Sequence, residues 1–145
     1  MLKRPYTILV AVDQSDNAKK ALKTAVWLAK SMNARLVAAH IVPQPPIAEN
    51  ISPSALDKMQ KAYMNAGSKI LADLALMAST KYSFKIDTLL EKGDAREGIL
   101  AAAKKNKADL IVIGNRGMGK ISRLLLGSVS QSVVQNAKIP VLVVK

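Results

Sequence analysis

Between residues 6 and 12 the chain reads YTILVAV, an unbroken apolar run rich in β-branched residues. Such a run predicts a strand covered on both faces. After Asp13 the pattern changes period. In DQSDNAKKALKTAVWLAKSM, residues Ala18, Ala21, Leu22, Ala25, Leu28, Ala29 and Met32 share one helical face, and Lys19, Lys20, Lys23 and Lys30 lie mostly off it. Ser15 or Asp16 can cap that helix by accepting a backbone N–H bond. ARLVAAHIV (34–42) predicts a second strand. PQPPIAENISPS (43–54) holds four prolines and reads as a surface excursion. A long helix is expected over about 55–80, with Leu56, Met59, Tyr63, Ile70, Leu74 and Met77 near one side. YSFKIDTLLE (82–91) alternates like a half-buried strand. GDAREGILAAAKKNK (93–107) predicts a third helix with Asp94 as its cap. ADLIVIG (108–114) reads as a buried strand, 128–136 as a helix, and IPVLVV (139–144) as the last strand.

The order is βαβαβαβαβ, which predicts an α/β fold: an open, doubly wound, five-stranded parallel sheet with helices on both faces. Two right-handed windings give the strand order 3-2-1-4-5. No linker or repeat divides the chain, so residues 1–145 are expected to form one domain. In such sheets ligands bind beyond the carboxyl ends of the strands, where the order reverses. Strands 1 and 4 meet there. The topology therefore brings VDQS (12–15) beside the loop that starts at Gly114.

That loop, GNRGMGKISRLLLGS (114–128), carries the candidate chemistry. Gly114, Gly119 and Lys120 resemble part of a P-loop, but Ile121 stands where a P-loop has Ser or Thr for Mg²⁺. A dinucleotide fingerprint started at Gly117 fails at Ser122. What remains is Gly114, two residues, Gly117, nine residues, Gly127, Ser128. Glycines without a Cβ let backbone N–H groups approach a ribose or phosphate. Gly127 and Ser128 open a helix whose first N–H groups are unpaired and partly positive. Ser128 and Ser130 add hydroxyls. A turn-rich connection that needs glycine and caps its helix with serine has the same pattern, and Asp13 has its own alternative in capping the first helix.

Charge sharpens this picture. The net charge is +12 on 145 residues, which implies an anionic partner: nucleotide, nucleic acid or anionic membrane. No acidic residue follows Asp109, so Arg116, Lys120, Arg123, Lys138 and Lys145 are locally unopposed. There is no cysteine, hence no disulfide and no thiolate metal site, which fits a cytoplasmic location. The first apolar run stops at Asp13, too short for a signal-peptide core. No stretch approaches the ~20 apolar residues of a membrane span, and no membrane partner is expected.

The segments ILVAVDQSDNAKKAL, GDAREGI, ADLIVIGNRGMG and LLLGSVSQSVVQNAKIPVLVV together resemble the universal stress protein family, in its subgroup with the G-x2-G-x9-G-[ST] nucleotide motif. The likeness spans nearly the whole chain. It implies a Rossmann-like or flavodoxin-like fold, ATP binding (AMP and ADP being related possibilities) and a homodimer through the last strand. It implies Asp13 at the ribose or first phosphates, with Ser15 beside it, and the Val42 backbone at adenine. Gly114 and Gly117 would sit against ribose and phosphate, and Gly127, Ser128, Val129 and Ser130 would hold the phosphate chain; Arg116, Lys120 and Arg123 are not fixed by the motif and are further candidates for phosphate. It further implies Mg²⁺ or Mn²⁺ between the phosphates and Asp13. Asn17 departs from the pattern, where a serine is usual.

The resemblance therefore implies a nucleotide-dependent regulatory module of the stress response, with no catalytic residues assigned. The single histidine, His40, lies inside a strand and is expected to be packed and hydrogen-bonded. Nothing else suggests a Ser–His–Asp arrangement. Slow metal-dependent ATP hydrolysis is the alternative. Nucleic-acid binding is a further one, opposed by the 3% aromatic content. Trp27 is expected in the core or an interface, and the lysine-rich helix face in solvent. The apolar edge of 139–144 is expected to be covered by a second copy.

Overall fold

The computed structural model describes residues 4–116 and 126–145. Gly117, Lys120 and Arg123 lie outside the described residues. Five strands and four helices alternate: β1 (Thr7–Ala11), α1 (Asp16–Met32), β2 (Arg35–Val42), α2 (Pro53–Tyr82), β3 (Asp87–Lys92), α3 (Ala95–Lys105), β4 (Leu110–Gly114), α4 (Ser128–Asn136) and β5 (Val141–Val144). All pairings are parallel and the sheet order is β3-β2-β1-β4-β5, as the winding rules predict.

The unbroken apolar runs are explained by two cores, one on each face. Ile8 and Val10 of β1, Leu36 and Ala38 of β2 and Val112 of β4 pack under α1 and α2. Leu9 and Ala11, Ala39 and Ile41, and Ile111 and Ile113 pack on the other face with Ile99, Ala102 and Ala103 of α3 and Val133 of α4. Strict alternation within strands buried on both sides leaves no polar position to read.

Three expectations shift. Pro53 does not end the surface excursion; it is the first residue of α2, behind Ser52, whose Oγ accepts the Ala55 N–H at 3.2 Å. Proline fits there because its missing N–H would have no intrahelical partner. Tyr82 closes α2, with Ser83 in the left-handed region at φ 52°, so β3 begins only at Asp87. Of the two places expected for Trp27, core or interface, the core is excluded: it is 65% exposed, and Val26 is buried instead.

α2 is unequal along its 30 residues. Its buried positions, Gly67, Leu71, Leu74 and Ala78, all lie from its midpoint onward. Gly67 sits tight against β2 and β3: a Cβ there would stand 2.8 Å from Leu90 and Val42 and 3.1 Å from His40. Those partners lie near the carboxyl ends of their strands. The first half of α2, residues 53–66, therefore continues beyond the sheet by roughly 20 Å at 1.5 Å per residue.

A clasp holds the opposite, amino end. Arg4 donates to both carboxylate oxygens of Asp109, at 2.8 and 2.6 Å, and the Thr7 N–H adds a bond of 2.9 Å. The Arg4 hydrogen bond, then that of Thr7, holds the Asp109 carboxyl below its ordinary 3.8. A depressed carboxylate stabilises the fold above its unfolded value, and the contribution fades as pH falls through the folded value. Asp109→Asn is expected to melt earlier than wild type at neutral pH, with the gap narrowing as the solution is acidified below the usual carboxylate range. Melting curves across pH check this; a gap that widens in acid would contradict it.

Candidate functional site

A cavity of about 350 Å³ opens at the carboxyl ends of β1 and β4, where the strand order reverses. One side is apolar: Ala39 and Ile41 of β2, Pro43 after it, Ile113 of β4, and Ala95 and Ile99 of α3. The other side holds Asp13, Ser15, Gly114, Arg116, Gly127, Ser128, Val129 and Ser130. Topology alone builds this meeting of a hydrophobic bay with a polar wall.

Local hydrogen bonding sets the polar wall. One Asp13 carboxylate oxygen accepts the Ser15 N–H at 2.8 Å. Ser15 is buried, and its Oγ accepts the Ala18 N–H at 3.1 Å, so it is the N-cap of α1. Ser15 rather than Asp16 thus takes the capping role. Among the described residues Asp13 is the only acidic side chain lining the cavity.

α4 starts on the same wall with Gly127 at its N-cap, an extended residue (φ −61°, ψ 155°) that offers no side-chain cap. The first intrahelical bond runs from Gln131 N–H to the Gly127 carbonyl. The N–H groups of Ser128, Val129 and Ser130 therefore have no partner within the helix. Together they carry roughly half a positive charge. Ser128 is exposed there, while Val129 packs partly on the α3–α4 core. Ser130 differs from expectation: it is buried and its hydroxyl donates to the Gly114 carbonyl at 2.6 Å, tying α4 to β4.

Gly127 is held closely. Its N–H donates to the Asn115 carbonyl at 2.7 Å, and a Cβ would stand 3.3 Å from Arg116 Cα and Asn115 O. At Gly114 the space without a Cβ is filled by α1: the added atom would meet Asn17 Cβ and its carbonyl oxygen at 3.1 Å. This glycine lets α1 approach β4, whatever else the cleft holds.

Val42 is not among the residues lining the cavity, although its neighbours Ile41 and Pro43 are. Its carbonyl accepts the Gly93 N–H at 2.8 Å. Gly93 has φ 139°, a conformation that glycine adopts without a Cβ clash. His40 is packed and hydrogen-bonded as expected, with Nδ1 2.8 Å from the Val12 carbonyl, and it also faces the cavity. The apolar bay of Ala39, Ile41, Ala95 and Ile99 carried no sequence signal beyond its place at the ends of strand 2 and helix 3. Among the described residues no group of three or more His, Cys, Asp or Glu could hold a metal ion. None of the described helices is long and apolar enough to cross a membrane.

Known proteins place this architecture. The sequence model of the universal stress protein family matches residues 6–145. A Thermus aquaticus protein, named for its position as universal stress protein in QAH/OAS sulfhydrylase 3′ region, is 37% identical over 139 residues, covering 96% of this chain and 98% of that one. The solved universal stress protein UspA from Lactobacillus plantarum superposes with a TM-score of 0.86 at 27% identity, covering 99% of this chain and 100% of that one. A universal stress protein solved in complex with cAMP superposes at 0.73 with 28% identity and 99% coverage of both chains. The sheet order, the cleft at its reversal and these likenesses agree: the chain belongs to the universal stress protein family.

Proposed function

We propose that this chain binds an adenine nucleotide, ATP foremost, in the cleft between β1 and β4 and acts as a nucleotide-dependent regulatory module of the stress response. The observation that carries the reading is the apolar bay continuous with an α4 N-terminus that has no side-chain cap. A base needs a flat apolar slot, and phosphate oxygens need convergent N–H donors; the two lie within one cavity. The family member solved with cAMP supports adenine as the base.

In this reading Ala39, Ile41, Pro43, Ala95 and Ile99 enclose adenine, and Asp13 takes the ribose or the first phosphates. The N–H groups of Ser128, Val129 and Ser130, with the Ser128 hydroxyl, hold the terminal phosphates. Ser130 Oγ acts indirectly, by fixing α4 to β4. Mg²⁺ or Mn²⁺ fits a site with one carboxylate, because such an ion arrives on phosphate oxygens and asks for only one or two protein ligands. When bound it would neutralise phosphate charge beside Asp13. The protein is a binder rather than a catalyst in this reading: a ground-state grip on phosphate does not by itself accelerate hydrolysis. Slow metal-dependent hydrolysis is the second reading, favoured by Asp13 lining the cavity. Among the described residues β5 pairs only with β4, so its outer edge is where a second copy would pair.

Calorimetric titration with ATP, AMP and cAMP, with and without Mg²⁺, tests the proposal. Saturable heat with ATP is expected. Asp13→Ala is expected to lower the affinity for ATP and to remove most of the gain from Mg²⁺. Absence of heat with every nucleotide would overturn the reading, and turnover above about 1 s⁻¹ would make the protein an enzyme.

A further inference from the structure

The sheet face covered by α1 and α2 presents an unusual surface. These two helices carry eight lysines, three aspartates and no arginine or glutamate, and every one of the lysines is exposed. Along α1 the outward ridge runs Lys20, Lys23, Trp27, Lys30, spaced three or four residues apart on one face. Past Asp16, at its very start, that helix has no acidic residue.

Two large apolar side chains stand among these lysines. Trp27 is 65% exposed and Leu76 of α2 is 63% exposed. The helices lie side by side, both run antiparallel to the strands, and Lys30 donates to the Tyr82 carbonyl that ends α2. The contact fixes their relative height. Trp27 is five residues before the end of α1 and Leu76 is six before the end of α2, and both are exposed on the side of their helix away from the sheet. Lys23 flanks Trp27 on one side and Lys30 on the other; Lys81, further along α2, stands over the Tyr82 ring at 5.8 Å.

We propose that this face docks on the surface of an anionic lipid bilayer, a partner not expected from the lack of a spanning segment, with the lysines at headgroup phosphates and Trp27 and Leu76 entering the headgroup–acyl boundary. Charge complementarity supplies the attraction, and juxtaposed lysines and an outward tryptophan match the two layers of that surface. Nucleic acid is the poorer match. Its sequence readers and bidentate phosphate contacts favour arginine, absent from both helices, and Leu76 has no role against a phosphate backbone. The face lies on the opposite side of the sheet from α3 and α4, so docking does not depend on the nucleotide reading.

Trp27 is the only tryptophan, so its fluorescence reports this face without a label. The full chain is sedimented with vesicles of phosphatidylcholine alone and with phosphatidylglycerol admixed. Binding to the anionic vesicles only, with a blue shift of Trp27 emission and release by salt, is the expected result. Each lysine near such a surface changes partitioning roughly fivefold, so Lys20→Glu with Lys23→Glu should reduce it at least roughly twentyfold. Trp27→Ser with Leu76→Ser should weaken it while the melting temperature stays unchanged, since these side chains are on the surface. No sedimentation, equal sedimentation with neutral vesicles, or undiminished binding by the charge-reversed variant would overturn the proposal. So would preference for duplex DNA over vesicles at equal phosphate, which would assign the lysines to nucleic acid.

Discussion

Ile111→Ala is expected to lower the unfolding free energy by about 2–5 kcal/mol. Ile111 has no exposed surface and pairs with Leu9 in register across β1 and β4. Its side chain belongs to the cluster with Ala39, Ile99, Ala103 and Val133. Sheet on one side and helices on the other leave little freedom to close the space, so the cavity cost adds to the lost transfer energy. Against a total stability of roughly 5–15 kcal/mol the loss is large. Urea denaturation with an unchanged slope measures it. The 43%-exposed Val134, replaced by alanine, should stay within about 0.5 kcal/mol. A loss below about 1 kcal/mol at Ile111 would mean that the α3–α4 layer can settle onto the sheet.

Gly127→Val is expected to reduce affinity for ATP by about ten- to a hundredfold. A Cβ at this position already approaches the backbone of Asn115 and Arg116 at 3.3 Å, and valine adds two methyl groups. Backbone cannot swing aside as a side chain can, so the start of α4 must move away from β4. The strain of such overpacking is about 1–3 kcal/mol, and each 1.4 kcal/mol that falls on the bound state is tenfold in affinity. The displaced atoms are the N–H groups assigned to phosphate. Titration of the variant with ATP reads the loss, and its melting curve separates a moved helix from an unfolded chain. A folded Gly127→Val that binds ATP within twofold of wild type would remove phosphate from the α4 N-terminus.

The sheet order was legible because runs such as YTILVAV and ADLIVIG are apolar on both faces, and parallel strands with crossover helices admit few windings. The cap Asp94 was legible, and that of α1 only down to Ser15 or Asp16, because a short polar side chain before an apolar period favours capping. Pro53 was misread because proline terminates and initiates structure equally well. For Trp27 the core alternative is excluded and the interface alternative stands. Its spacing from Lys20, Lys23 and Lys30 already put it on the outward ridge, and periodicity outweighs bulk when the two disagree. The polar half of the cleft announced itself through glycines and serines. The apolar half did not, because Ala39, Ile41 and Ile99 are indistinguishable in sequence from core residues one position away. Gly114 shows the limit of motif reading: the gap it leaves is occupied by Asn17 of α1.

The uneven burial of α2 divides one continuous helix into two thermodynamic regimes. From Gly67 onward, unwinding exposes Leu71, Leu74 and Ala78 and opens the core they share with β1 and β2. Residues 53–66 bury no side chain fully, only half-burying a face that includes Leu56, Met59 and Tyr63, so their hydrogen bonds are expected to break and re-form as a local equilibrium below the global unfolding energy. Cooperativity therefore stops near Gly67, at the carboxyl edge of the sheet. The chain keeps four turns of helix there that can exchange length with the proline-rich segment before them while the sheet stays intact.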